Sequence, residues 1–437
     1  MKKILHIIQF EWKAITRSKM LKALLWVMFG AAVYGIYFGK FEIEKQQHRI
    51  AQVQRYEKQQ FDSLLHWARL DTMVEANKEK YQEAVSPVGV GWNKHFTYYV
   101  THETPPLAGL CLGQRDLFPA YYGFNVTDLA RQVNVGELAN PMKLLTGNFD
   151  LSYVIVFLLP LLIVALFYNL YAGEKESGTL SLLQSQPVRL GVILFSKALL
   201  RLLIVMVFLT IILALGFILQ GISLAEYFSL FMEWLIVIYS YCLLWAIIMG
   251  GIVWLRQTAA LSAMLGLGVW LIFTLVAPAL LNLMASARES LPRRAEVIHA
   301  VRTLNDKNWE SPKSFVFNKF YPENPMYDQG DTTDFNKWYY ASFTLLDAQA
   351  RSLNQQFEEQ VTQRNQWLDQ WLWLAPAAMV HEKLSATVET DRNSHLRFLQ
   401  KVQSYHGDLK DIYYPKIFSS EPFSYEDLLL IQARLDH

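Results

Sequence analysis

The sequence predicts a mainly α, polytopic membrane protein whose two long polar segments form an α-rich domain outside the bilayer. Apolar residue types make up 52% of the 437 residues and charged types only 18%, where a soluble protein carries about a quarter charged. The apolar excess is concentrated in five uncharged stretches, 23–39, 151–173, 202–225, 234–255 and 257–287. Buried helices of soluble proteins rarely run past about twenty residues without a charge, so these read as spans. The second and third stretches are joined by a short acidic elbow that a proline ends.

Residues 1–19 place Leu5, Ile8, Trp12 and Ile15 on one helical face, with Lys3, Lys13 and Arg17 elsewhere. This predicts an amphipathic helix lying in the inner headgroup layer. Residues 20–39 follow as the first span, at the lower length limit for crossing. Residues 40–150 form a first outer segment. From Phe41 to about Glu83 it lacks Gly and Pro and reads as a long helix, with Ile43, Ile50, Val53, Phe61 and Leu64 as its apolar stripe. Residues 86–150, dense in Pro, Gly and aromatics such as Trp92, Phe96, Tyr98, Tyr121 and Tyr122, read as an irregular packed cap.

The second span covers 151–173, the elbow 174–197, and the remaining spans 198–220, 228–255 and 257–284. Residues 285–437 form a second outer segment. It starts with mixed loops and then a long amphipathic helix near 340–372, with Leu346, Leu353, Phe357, Val361 and Leu368 on one side. Neither stripe has a partner inside its own segment, so 42–80 and 340–372 are expected to pack together in one body. Pro160 and Pro278 predict kinks in the second and fifth spans. Glu233 stands either at membrane depth or at the outer headgroup level.

Basic residues set the orientation. Lys2, Lys3, Lys13, Arg17, Lys19 and Lys22 precede the first span, Lys175, Arg189, Lys197 and Arg201 flank the elbow, and Arg256 lies between the fourth and fifth spans. The turn near Gln220–Glu226 has no basic residue. All the basic connections share one side if the N-terminus is cytoplasmic, which puts both long segments outside. Cys111 and Cys242 read as unpaired apolar residues, and the N-terminal stretch as an uncleaved anchor.

The elbow reads Glu174-Lys175-Glu176-Ser177-Gly178-Thr179-Leu180, then Leu182-Leu183 and Gln186-Pro187. Ser177 or Thr179 suits a helix N-cap, Gly178 a sharp turn, and Pro187 a stop. Capping explains the serine, glycine and proline but not the acidic pair and the leucines, which suit the contact surface of a soluble motor.

This string, with Lys197 beyond it, resembles the signature of type-2 ABC exporter permeases. There an acidic pair, Gly-Thr-Leu, a leucine pair and a proline form the coupling helix touched by the ATPase. Glu174, Glu176, Gly178, Thr179, Leu180, Leu183 and Pro187 match position by position. The strings from Pro106 to Leu117 and from Asn140 to Leu151 are similar to a subgroup with large extracytoplasmic inserts, and the plan is similar to gliding-motility permeases. The resemblance implies a bundle of six spans, of which five are visible. Either the sequence stops before a sixth span or the C-terminus stays outside, and a lost sixth span is the expectation because the last residues read as a domain ending. It also implies a bacterial inner-membrane export subunit partnered by an ABC ATPase dimer and a second permease, identical or homologous. An alternative is a module that relays ATPase strokes to an extracytoplasmic envelope protein without transport.

Catalytic constellations are missing from the sequence, so no enzyme activity, cofactor, metal or nucleic-acid partner is expected besides membrane lipid and these proteins. Gly39-Lys40 lacks the rest of a phosphate-binding loop, so the motor is another chain. His381-Glu382 opens like a zinc-protease motif, but Ser385 stands where the second ligand belongs. Asp328, Asp331 and Asp334 lack calcium-loop spacing and read as a solvated loop. Asn125-Val126-Thr127 fits a glycosylation acceptor. Trp338, Tyr339 and Tyr340 read as core or interface aromatics rather than a sugar platform. A substrate-sized cavity between the second and fifth spans would favour export, and tight packing there would favour relay.

Overall fold

The computed structural model describes residues 2–92, 96–115, 117–127, 129, 148–289, 294–328 and 330–435. The expected string 140–147, and Asp116 of the other insert string, lie outside the described residues.

Helix α1 (Lys2–Arg17) leads into α2 (Lys19–Trp67), whose start is capped by the Ser18 hydroxyl, accepting from Leu21 N at 3.3 Å. On α1 Glu11 and Ile15 are buried, whereas Trp12, which shares the expected apolar face with Ile15, is 52% exposed. The protein buries an acid here because two cations wait opposite it, a long-range pairing that helical spacing does not reveal.

Helix α2 runs far past its apolar beginning but stops at Trp67 rather than near Glu83. The Asp71 carboxylate accepts from Met73 N at 2.9 Å, and Asn77 Nδ2 donates to the Asp71 carbonyl at 3.2 Å. Such local side-chain bonds compete with the helical ladder, and the chain resumes as α3 (Glu75–Val85) and α4 (Pro87–Trp92). The region expected to be irregular contains a two-stranded antiparallel sheet, β1 (Tyr98–Thr101) on β2 (Tyr121–Phe124), with Tyr98 opposite Phe124.

Next come α5 (Leu151–Glu176), the short α6 (Leu180–Gln184), α7 (Leu190–Leu219), α8 (Phe228–Trp254) and α9 (Ala259–Arg288). Among the described residues α2, α5, α7, α8 and α9 are long and apolar enough to cross a membrane. They pack around a core that includes Phe217, Trp234, Tyr241 and Trp245. Helix α5 contains a π-helical segment, Val154–Leu158, just before Pro160, and α9 contains another, Ile272–Val276, just before Pro278. The π-turn supplies slack where proline cannot donate to the ladder, so each expected kink is built as a bulge.

The remaining helices are α10 (Arg294–Glu310), α11 (Lys313–Glu323), α12 (Phe335–Trp371), α13 (Pro376–Thr387), α14 (Arg392–Ser419) and α15 (Tyr425–Leu435). Most of them join α3, α4 and the sheet in a polar body with a single core. Phe61, Leu64, Val90 and Tyr98 from the earlier segment are buried there with Phe320, Tyr340, Tyr413 and Phe418 from the later one. Phe423 N donates to the Val85 carbonyl at 2.8 Å, Tyr340 to the Val88 carbonyl at 3.3 Å, and Lys401 pairs with Glu103 at 3.1 Å. The joint body is therefore present, but the direct stripe-to-stripe pairing is not its organising contact. Helix α12 packs chiefly on α10, α11 and the end of α9, while the outer half of α2 packs on α3, β1 and α15. Phe61 and Leu64 of the first stripe and Leu346 and Val361 of the second are buried, whereas Ile50, Val53, Leu353, Phe357 and Leu368 stay half-buried.

The stretch 107–115 ties body to bundle. Gly39 of α2 lies so close to Gly109 that a Cβ there would sit 1.8 Å from the Gly109 carbonyl oxygen. Arg115 is buried, with Nε donating to Gln46 at 3.0 Å and the remaining nitrogens to the carbonyls of His102 (2.7 Å) and Glu103 (2.8 Å) and to Thr104 Oγ1 (3.0 Å). Burial lowers its pKa to about 10, and these acceptors hold the charge out of water. Leu112 N donates to Asp150 at 2.8 Å, and Asp150 also caps α5 through Tyr153 N at 2.8 Å.

Candidate functional site

Two places concentrate chemistry, at opposite ends of the bundle. The first is the elbow. The third helix starts at Leu190, earlier than the expected 198, so Lys197 and Arg201 are helical residues that point back at the elbow. The Glu174 carboxylate bonds Lys197 Nζ at 2.5 Å and accepts from the Thr179 hydroxyl. Lys197 also reaches Glu11 at 3.3 Å, and Arg201 donates to Glu11 at 2.6 and 2.9 Å, to Asn169 at 3.1 Å and to the Leu166 carbonyl. Glu11 is only 5% exposed, so each charge is matched rather than left bare. The network fastens α1, the end of α5 and α7 into one unit.

Glu176 has a different role from Glu174. Its Oε1 accepts from Ala259 N at 3.1 Å, which places a negative charge at the N-terminus of α9. Gly178 takes φ +74°, a left-handed turn that glycine adopts at no steric cost. The expected N-cap bond is absent from α6: Thr179 occupies the cap position, but its hydroxyl goes to Glu174, and Ser177 Oγ goes to the Gly173 carbonyl at 2.7 Å. Leu180 and Leu183 are half-buried, and Pro187 stands exposed just past the helix end. The outward surface is made of Lys175, Ser181, Leu182 and Gln184, with Leu182 66% exposed. Sequence reasoning passed over Leu182 as one leucine of a run, and it missed Glu11 because no local pattern links residues so far apart.

The second place is a cavity of about 1010 Å³ between α5 and α9, at the end of the bundle nearest the polar body. Both π-helical segments face it, contributing Val156, Phe157 and Leu158 on one side and Thr274 and Leu275 on the other. Such segments are frequent at functional sites. Helix α13 roofs the cavity with Ala377, Ala378, His381 and Glu382, and Asp369 comes from the end of α12. Trp270 Nε1 donates to the Phe157 carbonyl at 3.0 Å, linking the two walls. Burial depresses the His381 pKa, with the Asp150 carboxylate opposing it. Burial raises the Glu382 pKa, and the carboxylates of Asp391 and Asp369 add to the rise.

Other candidates resolve as ordinary structure. The Asp334 carboxylate caps α12 through Asn336 N (2.6 Å) and Lys337 N (3.1 Å), and Asp331 closes a turn onto Thr333 N at 2.9 Å. Tyr340 and Trp338 are buried in the polar body. Cys111 and Cys242 are free and buried. Glu233 is exposed in the second turn of α8.

Residues 294–433 match a family model described as a domain of unknown function, DUF3526, a span covering α12, α13 and α14 and so the roof of the cavity. No curated protein matches the chain.

Proposed function

We propose that this chain is the membrane subunit of an ATP-driven exporter of the type-2 ABC class, working with a separate ATPase dimer and a second permease, identical or homologous. In this reading the elbow is cytoplasmic, the polar body extracytoplasmic and the membrane the bacterial inner membrane. The observation that carries it is the elbow: a short helix with an exposed leucine, held between two candidate spans and latched by charge to a third element. Force applied to α6 reaches α1 through Glu174, Lys197 and Glu11, and reaches α9 through Glu176. The cavity between the second and fifth candidate spans favours export over relay, because tight packing there would leave nothing to carry.

The relay reading keeps one observation in its favour. Helix α2 is continuous from the bundle into the polar body, so movement of the first span would reach that body without any intervening hinge.

The test is Leu182→Asp, which places a charge on the exposed face and leaves Glu174 and Glu176 in their bonds. The chain purified from its native membranes should bring ATP-hydrolysing activity with it, and Leu182→Asp should lose that activity while inserting and eluting normally. Equal ATP turnover with the variant would remove the elbow as the motor contact.

A further inference from the structure

The cavity between the π-turns is divided by chemistry. Its walls are apolar, made by Val156, Phe157, Leu161, Leu275 and Pro278. Its roof is polar, with Asn365, Asp369, His381, Glu382, Arg392 and Asn393. Among the described residues that line it, the carboxyl groups of Asp150, Asp369 and Glu382 face one guanidinium, Arg392. Asp150 is committed, since its oxygens accept from Leu112 N, Ser152 Oγ and Tyr153 N. Asp369 and Glu382 differ: among the described residues neither has a cation within the 4.0 Å of an ion pair. Among the described lining residues these two acids share the roof with a single guanidinium, so negative charge is in excess and a bound cation would offset it, although Asp369 is exposed and water screens part of its charge. Tyr153 and Phe157, whose rings are 4.8 Å apart, add aromatic faces that attract a cation. Leu275 on the wall is about half exposed, so the cavity is open along α9.

We propose that this cavity binds a cationic amphiphile, with the apolar body between α5 and α9 and the positive head against Asp369 and Glu382. The volume is at the upper end of the range of about 300–1,000 Å³ for small-molecule sites. An anionic amphiphile of the same length meets the two acids and is excluded. The proposal rests on the export reading for its purpose, naming the substrate class of the same site, but binding itself requires no nucleotide.

The experiment uses the full chain in nanodiscs of zwitterionic lipid, without ATP or ATPase, and a photoactivatable alkylammonium as probe. Labelling should concentrate on Phe157, Leu161 and Leu275. Excess plain alkylammonium should suppress it, and alkyl sulfate of equal length should not. The isosteric pair Asp369→Asn and Glu382→Gln should weaken binding about tenfold or more. Leu275→Trp, which fills the cavity and leaves the charges alone, should remove the labelling by a separate route. Equal suppression by alkyl sulfate, unchanged labelling in the acid variant, or labels spread over lipid-facing residues such as Ile211 and Ile247 would each overturn the proposal. Because neither nucleotide nor ATPase is present, failure here leaves the elbow untouched, and failure of the Leu182→Asp test leaves this binding result untouched.

Discussion

At the scale of single residues, Gly39 and Gly30 lie on the same helix and have opposite needs. A Cβ at Gly39 meets the Gly109 carbonyl, which belongs to backbone and cannot swing aside, while a Cβ at Gly30 meets nothing within 4 Å. Gly39→Ala should therefore cost about 2–3 kcal/mol through overpacking. Gly30→Ala should instead gain about 0.5–1 kcal/mol from helix propensity and a less free unfolded chain. Thermal midpoints of the purified variants in one detergent check both, and equal shifts of the same sign would contradict the close approach of α2 to the 107–115 stretch. The sequence shows both glycines and distinguishes neither, because the difference lies in a loop that arrives from far along the chain.

His406 carries a residue-scale prediction with a pH signature. It is buried beside Lys410, and burial first, then that ammonium, lowers its pKa to about 3. An unfolded histidine takes up a proton below about pH 6.5, whereas the folded one stays neutral until about pH 3. The folded state then binds fewer protons, so stability is full above pH 6.5 and is lost as the pH falls through that window. The slope from this group is about 1.4 kcal/mol per pH unit. His102, lowered to about 3 by burial and then by Arg115, acts in the same sense but is more open to solvent and contributes less. His406→Asn should flatten the stability curve of the polar body between pH 6 and 4, followed by near-ultraviolet circular dichroism. An unchanged slope would mean that His406 is protonated in the folded state.

At the scale of elements, the latch among α1, α5 and α7 decides whether the elbow moves alone or as a unit. Lys197 stands between Glu11 and Glu174, so Lys197→Met leaves Glu174 without its cation. Removing one partner of a largely buried pair costs about 3 kcal/mol. Arg201 still holds Glu11 on α1, so the expected outcome is release of the elbow, seen as roughly tenfold faster tryptic cleavage after Lys175 and Arg189. Adding Glu174→Gln should then cost less than the sum of the two single changes, because the second removes a charge already orphaned. Additive costs would place the two residues in separate roles.

The elements themselves were legible where one local signal dominated. Five uncharged runs became five long apolar helices, and Pro187 marked the end of the elbow helix. The reading lost ground where a distant partner overrode the local pattern. Glu11 is buried on α1 because Arg201 and Lys197 are opposite it, which the spacing of Leu5, Ile8, Trp12 and Ile15 does not show. The break at Asp71 was hidden because no Gly or Pro announces it, and the sheet because its strands are joined by a long connection rather than a tight turn. The cavity was foreseen only as a condition to be met. Its π-turns follow from prolines that the sequence does show, and its acidic roof, Asp369 and Glu382, comes from a segment far along the chain from both walls it covers.

At the scale of the whole molecule, the elbow and the polar body occupy opposite ends of the apolar bundle, and every functional statement depends on a membrane lying between them. Ser185 is exposed on the elbow and Gln360 on α12 in the polar body, so each can carry a probe without disturbing a core. The decisive measurement places a single cysteine at Ser185 or at Gln360, in a chain whose Cys111 and Cys242 are replaced by serine. Intact cells are then treated with a membrane-impermeant thiol reagent. The account predicts labelling at position 360 and protection at 185 until the membrane is opened. Labelling of 185 in intact cells, or of both positions alike, would contradict it, since the elbow would then face away from any source of ATP.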